Sequence, residues 1–208
     1  LEIGSGSGWF LTVAVALGFA EEGVGVDPAF SEEGTHIDEV RTTESVISRL
    51  DLSDRVHFRI CTLADFLPKA LFEGERYDLL VFRNTLHHIY PRSKESLKEC
   101  ELVNKCIEDL SSSRGLLTAP GYLYIVEATR PFFLYSVGYN LYRSIRGAPT
   151  IKWDLKRTPM EWMRILERAG YECIGMTWLP AHHPILVMKS LGRLLSHQFL
   201  IAARVLKT

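Results

Sequence analysis

The first eight residues, Leu1-Glu2-Ile3-Gly4-Ser5-Gly6-Ser7-Gly8, restrict the fold more than any other stretch of this chain. Three glycines stand on alternate positions, an acid precedes the first by two residues, and a largely apolar run follows to Ala20. Glycine accepts φ > 0 and carries no side chain, so such a segment can turn sharply beneath a ligand. A helix after it would offer unpaired N–H groups and a partial positive charge to whatever polar group sits at the turn. Read alone, the glycines serve equally well as a structural turn.

Spacing narrows the ligand. A dinucleotide fingerprint has G-x-G-x-x-G, its third glycine allowing close helix–strand packing with the pyrophosphate on the helix N-terminus. Here Trp9 holds that third position and the glycine falls one residue early, at Gly8. Glu2-x-Gly4-x-Gly6-x-Gly8 resembles instead the first motif of class I S-adenosylmethionine-dependent methyltransferases. The resemblance implies a cofactor with ammonium and sulfonium centres and no pyrophosphate, held by Glu2, Gly4, Ser5, Gly6 and Gly8. Val24-Gly25-Val26-Asp27 reads as a short buried strand ending in an acid. Roughly twenty residues past the glycines is where an α/β nucleotide fold places the carboxylate that accepts hydrogen bonds from ribose hydroxyls. A solvated Asp at a strand end is the plainer alternative for Asp27. Pro28 would stiffen the loop beside the adenine edge.

Composition fits one globular domain over residues 1–208: 47% of the residues are hydrophobic and 24% charged. With a net charge of −1 and no extended basic run, the chain is not expected to bind nucleic acid, which requires clustered Lys and Arg. Cys61, Cys100, Cys106 and Cys173 form no C-x-x-C pair and no zinc spacing, which suits a reduced, cytoplasmic protein. No stretch reaches the roughly twenty apolar residues of a membrane span. The sequence has no initiator Met and starts inside what should be a central strand, so an incomplete N-terminus is expected.

Along the chain, strands and helices alternate. Helices are predicted over 12–20, 37–50 and 94–110, the last capped by Ser93, and strands over 24–27, 56–61, 77–82 and 121–128. Thr158-Pro159-x-Glu161 starts a helix with an N-cap, a first-position proline and a first-turn acid; Ala169-Gly170 ends it. Strands over 173–179 and 199–206, with no clear full-length helix between them, suggest an antiparallel closing pair. The fold class is therefore α/β: a doubly wound, mostly parallel Rossmann-like sheet with helices on both faces and an antiparallel final strand.

Arg83-Asn84-Thr85-Leu86-His87-His88-Ile89 follows the 77–82 strand at its C-terminal end, outside which ligands sit in open α/β sheets. It resembles the post-strand segment of small-molecule methyltransferases of the ubiquinone-biosynthesis type. Residues 122–127 and 162–171 resemble the same family's later segments. By this resemblance Arg83 and Asn84 face the cofactor. One departure stands out. The family usually has an acid directly after the third strand, near the adenine amino group, and this chain has Cys61-Thr62-Leu63. Either Asp65 takes that role or the backbone of Leu63 and Ala64 holds the base alone.

Methyl transfer asks little of a protein, because the sulfonium is already an activated leaving group and in-line positioning supplies much of the rate. His87 or His88 is the expected general base for a hydroxyl acceptor; alternatively one caps a turn and the other packs on the cofactor edge. His182-His183 is a second pair, read more simply as a surface loop. Adjacent histidines in extended chain point apart, so no metal is expected. Residues 130–157 form a lid-like insertion in which Tyr135, Tyr139, Tyr142 and Arg146 recur at helical spacing. They would cover a flat, aromatic or lipophilic acceptor, or else pack on the core. The expected activity is methyl transfer to oxygen or carbon of such an acceptor. Its rivals are a nicotinamide (NAD)-dependent oxidoreductase and an inactive methyltransferase-like interaction module.

Overall fold

In the computed structural model the described residues are 1–29, 36–129, 133–145, 153, 156–179 and 198–206. The glycine turn separates strand β1 (Glu2–Ile3) from helix α1 (Trp9–Ala16). There follow β2 (Gly23–Val26), α2 (Ile37–Arg49), β3 (Val56–Arg59), α3 (Leu63–Phe72), β4 (Tyr77–Arg83) and the short α4 (Leu86–Ile89). The chain continues through α5 (Ser96–Ser113), a 3₁₀ turn (Arg114–Leu116), β5 (Leu117–Ala128), α6 (Phe133–Ile145), α7 (Pro159–Arg168), β6 (Tyr171–Trp178) and β7 (Gln198–Val205).

The strands form one seven-stranded sheet in the order β3-β2-β1-β4-β5-β7-β6. The pairs from β3 across to β5 are parallel, and β7 is antiparallel to both β5 and β6. The order reverses between β1 and β4, a switch point at which open α/β sheets leave a crevice at their C-terminal edge. One apolar cluster lies where α1 and α2 meet β3, around Leu11, Val15, Ile47 and Val56. A larger one joins the sheet to α3, α5 and α7 through residues such as Phe66, Leu80, Leu110, Ile125, Trp162 and Leu166.

Several boundaries differ from the sequence expectation. The helix after the glycines starts at Trp9; Leu11 and Val15 are buried in it, whereas Trp9, Phe10 and Val13 are exposed. Helix α5 is capped by Glu95, not Ser93; the Ser93 hydroxyl accepts from the Glu95 N–H at 3.2 Å, one step before the helix. Helix α3 was hidden by Pro68, which sits inside it. Its start was nevertheless written in the chain, since Thr62-x-x-Asp65 has the form of a capping box. The predicted cap of α7 is present in both directions. Thr158 Oγ1 accepts from the Glu161 N–H at 3.2 Å, and Glu161 Oε2 accepts from the Thr158 N–H at 2.7 Å. None of the helices among the described residues is long and apolar enough to cross a membrane.

Candidate functional site

All three glycines of the turn have left-handed backbones, with φ of +68° at Gly4, +58° at Gly6 and +83° at Gly8. They are needed for different reasons. A Cβ on Gly4 would lie 2.1 Å from Thr85 Oγ1, and one on Gly8 would lie 2.1 Å from the ring of Phe58. Two of the three therefore make room for the protein's own side chains rather than for a ligand. The N–H groups of Gly4 and Ser5 both donate to the Val26 carbonyl, at 2.7 and 3.2 Å, which fastens the turn to the end of β2. Asp27 completes the fastening: Oδ2 accepts from the Gly6 N–H at 2.9 Å and Oδ1 from the Ala29 N–H at 2.8 Å.

A cleft of about 950 Å³ opens at this edge of the sheet, a size suited to a small organic cofactor. Its walls come from the ends of β1 and β2 (Ile3, Gly4, Gly6, Val26, Asp27, Pro28) and from the start of α3 (Cys61, Thr62, Leu63, Ala64). The segment after β4 (Arg83, Asn84, Thr85, His88, Ile89, Tyr90) and three residues of α5 (Leu102, Lys105, Asp109) close it. Of the residues expected at a site, Gly4, Gly6, Asp27, Pro28, Leu63, Ala64, Arg83, Asn84 and His88 line this one cleft. Glu2, Ser5, Gly8, Asp65 and His87 are not among the residues that line the cleft. Glu2 and Ser5 are buried below the turn and Gly8 packs on Phe58. The Asp65 carboxylate is exposed and accepts from the Thr62 hydroxyl at 2.6 Å, closing the cap of α3.

Burial pushes the Glu2 carboxyl up to about 7, against the pull of Arg83, whose Nε donates to Oε1 at 3.2 Å. Glu2 Oε2 and Asn84 Oδ1 are buried acceptors without a hydrogen-bond partner among the described residues. Asn84 itself is held with φ of +53°, its N–H donating to the Val126 carbonyl at 2.7 Å. Of these two residues, Asn84 belongs to the cleft lining, and its orphaned acceptor, with Asp27 retaining spare lone pairs, suits a ligand that brings ammonium and hydroxyl donors. The cleft does not suit a pyrophosphate, because the lining cations are both engaged, Arg83 with Glu2 and Lys105 with Asp109.

The two histidines separate. His87 Nδ1 lies 2.6 Å from Oε2 of Glu127, which is fully buried at the end of β5, and the His87 N–H reaches Oε1 at 3.3 Å. His88 lines the cleft, its ring centroid 4.1 Å from that of His87. The rings neighbour each other because the segment is helical, whereas the sequence argument assumed extended chain. Sequence reasoning missed Glu127, whose only signal was an acid at the end of a buried strand, and Asp109 of α5, which lines the cleft. Among the described residues no three His, Cys, Asp or Glu side chains gather as a metal site. Of the predicted lid residues, Tyr142 is exposed on α6. Arg146 and the side chains of Tyr135 and Tyr139 lie outside what is described, as does His182-His183.

A family model described as a methyltransferase domain matches residues 1–175. No curated protein sequence matches the chain. Among solved structures, the pyocyanin biosynthetic protein PhzM superposes with a TM-score of 0.62 at 14% identity, covering 99% of this chain and 49% of that one. An O-methyltransferase family protein from Burkholderia thailandensis gives 0.60 at 21%, covering 98% and 49%. The CurJ carbon methyltransferase gives 0.55 at 18%, covering 99% and 48%. The chain thus spans about half the length of these solved structures, and at such identities the likeness is one of fold. With the family match extending from the glycine turn into β6, and with the cleft at the switch point of the sheet, the chain belongs to the class I S-adenosylmethionine-dependent methyltransferase family.

Proposed function

We propose that the protein methylates an oxygen or carbon of a small aromatic or lipophilic acceptor, with His87 as the general base. S-adenosylmethionine, when bound, supplies a methyl group already activated on a sulfonium leaving group. In this reading Asp27 accepts from the ribose hydroxyls while keeping its bonds to Gly6 and Ala29. Asn84 offers its unpartnered oxygen to the ammonium end, Glu2 holds Arg83 from beneath the turn, and Leu63 and Ala64 flank the base.

The observation that carries the reading is the pairing of His87 Nδ1 with the buried Glu127 at 2.6 Å, next to a histidine that lines the cleft. With Nδ1–H donated to the carboxylate, Nε2 carries the lone pair and can take a proton from an acceptor hydroxyl or acidic carbon. The carboxylate then stabilises the imidazolium that forms. Positioning of the acceptor accounts for most of the rate, and the base adds about 10²–10⁴-fold. We place the acceptor under the insertion that contains α6, the protein in the cytoplasm, and its partners among small molecules rather than nucleic acids.

Calorimetric titration with S-adenosylmethionine, S-adenosylhomocysteine and NAD tests the cofactor. Binding of the first two is expected; binding of NAD alone would overturn the reading. Transfer of a radiolabelled methyl group to a panel of phenols and β-dicarbonyl compounds tests the acceptor class, and label found only on protein or nucleic acid would refute it.

A further inference from the structure

The position after β3 lacks an acid, and Asp65, the nearest one, is spent on the Thr62 cap outside the cleft lining. Among the lining residues the only carboxylates are Asp27, at the glycine turn, and Asp109, on α5. Asp109 is four-fifths or more buried, at 16% side-chain exposure, and is held from two sides. Tyr90 Oη donates to its Oδ2 at 2.6 Å and Lys105 Nζ to its Oδ1 at 2.9 Å. Burial and the neighbouring carboxylate push the Tyr90 hydroxyl far above its ordinary range, so it remains a donor to Asp109. A carboxylate has about four lone-pair sites, so two bonds leave acceptor capacity toward the cleft.

Leu63 and Ala64, which open α3, line the same cleft. First-turn N–H groups have no acceptor within their own helix, and the Thr62 cap serves the N–H of Asp65. The cleft lining therefore contains both a fixed acceptor and helix-terminal donors. Adenine offers the complement, an exocyclic amine that donates and a ring N1 that accepts. Hypoxanthine, with a carbonyl and an N1–H, offers the opposite arrangement.

We infer that Asp109, presented on α5 and braced by Tyr90 and Lys105, reads the exocyclic amine of the cofactor's adenine in place of an acid after β3. The inference rests on the cofactor reading proposed above. Asp109 is then a specificity residue supplied by a helix some fifty positions further along the chain than the family's usual acid, and it selects adenosine over inosine cofactors before any chemistry occurs.

The test is calorimetric binding of S-adenosylhomocysteine and of its deaminated counterpart, S-inosylhomocysteine, to the wild-type protein and to Asp109→Asn and Asp65→Asn. The wild-type protein should prefer the adenosine ligand by about tenfold or more, the scale of one hydrogen bond to a charged group. Asp109→Asn should lose that preference while still binding the inosine ligand, which also shows that the variant is folded. Asp65→Asn should keep the preference. Survival of the wild-type preference in Asp109→Asn, or its collapse in Asp65→Asn, overturns this inference alone. Wild-type protein that binds neither ligand overturns the cofactor reading and this inference with it.

Discussion

Asp27 Oδ2 accepts from the Gly6 N–H at 2.9 Å, so the residue that ends β2 also holds the middle of the glycine turn. The strand end and the turn are therefore one unit, and a change at Asp27 acts on both. Asp27→Ala should weaken S-adenosylhomocysteine binding by about 1.5–3 kcal/mol, the scale for hydrogen bonds to a charged group. Calorimetry reads the result, and an unchanged affinity would remove Asp27 from the cofactor site.

Gly4 and Gly18 share a left-handed backbone but differ in surroundings. A Cβ on Gly4 meets Thr85 at 2.1 Å, while one on Gly18 has nothing within 4 Å. Gly18→Ala should cost about 1–2 kcal/mol, the backbone penalty alone. Gly4→Ala should cost clearly more, because the clash adds to it. Urea unfolding of both variants checks the ordering, and equal losses would contradict the packing of Thr85 on the turn.

For the His87–Glu127 pair, His87→Ala should lower methyl transfer to a phenol by about 10²–10⁴-fold, the range of general base catalysis. Binding of S-adenosylhomocysteine should be unchanged. Glu127→Gln should also slow turnover, since an amide cannot stabilise an imidazolium in the same way. If both variants retain the wild-type rate from pH 6 to 9, positioning alone drives the reaction.

Glu2 provides a pH signature. Its folded-state pKa stands at about 7 against an ordinary 4.5, chiefly because of burial. Folding therefore favours the protonated form. The group's contribution to stability is complete below about pH 4.5 and declines until the pH passes 7. Glu2→Gln, which resembles the protonated side chain, should match wild type near pH 4.5 and exceed it above pH 7 by up to about 3 kcal/mol. Denaturation midpoints across that window test this, and a pH-independent difference would refute it.

The cap of α7 is a simpler case. Thr158→Ala removes the acceptor for the Glu161 N–H and should cost about 1 kcal/mol in chemical denaturation. A loss under a few tenths would mean that the box contributes nothing net.

What the chain determined by itself was local. Glycines demanding φ > 0, an acid ending an apolar run, the unbroken apolar core of β4 and the Thr158 box each impose their conformation within a few residues, so turn, strands and alternation were legible in the sequence. Even Thr62-x-x-Asp65 was legible as a cap, although Asp65 was assigned to the ligand. The tertiary structure decided which side chains meet across the strand order. Thr85 lies against Gly4 across 81 positions, His87 against Glu127 across 40, and Asp109 enters the same cleft from α5. These contacts depend on β1 lying beside β4 and β4 beside β5, an arrangement set by burying both faces of the sheet at once, and no local pattern encodes which distant residue will arrive there.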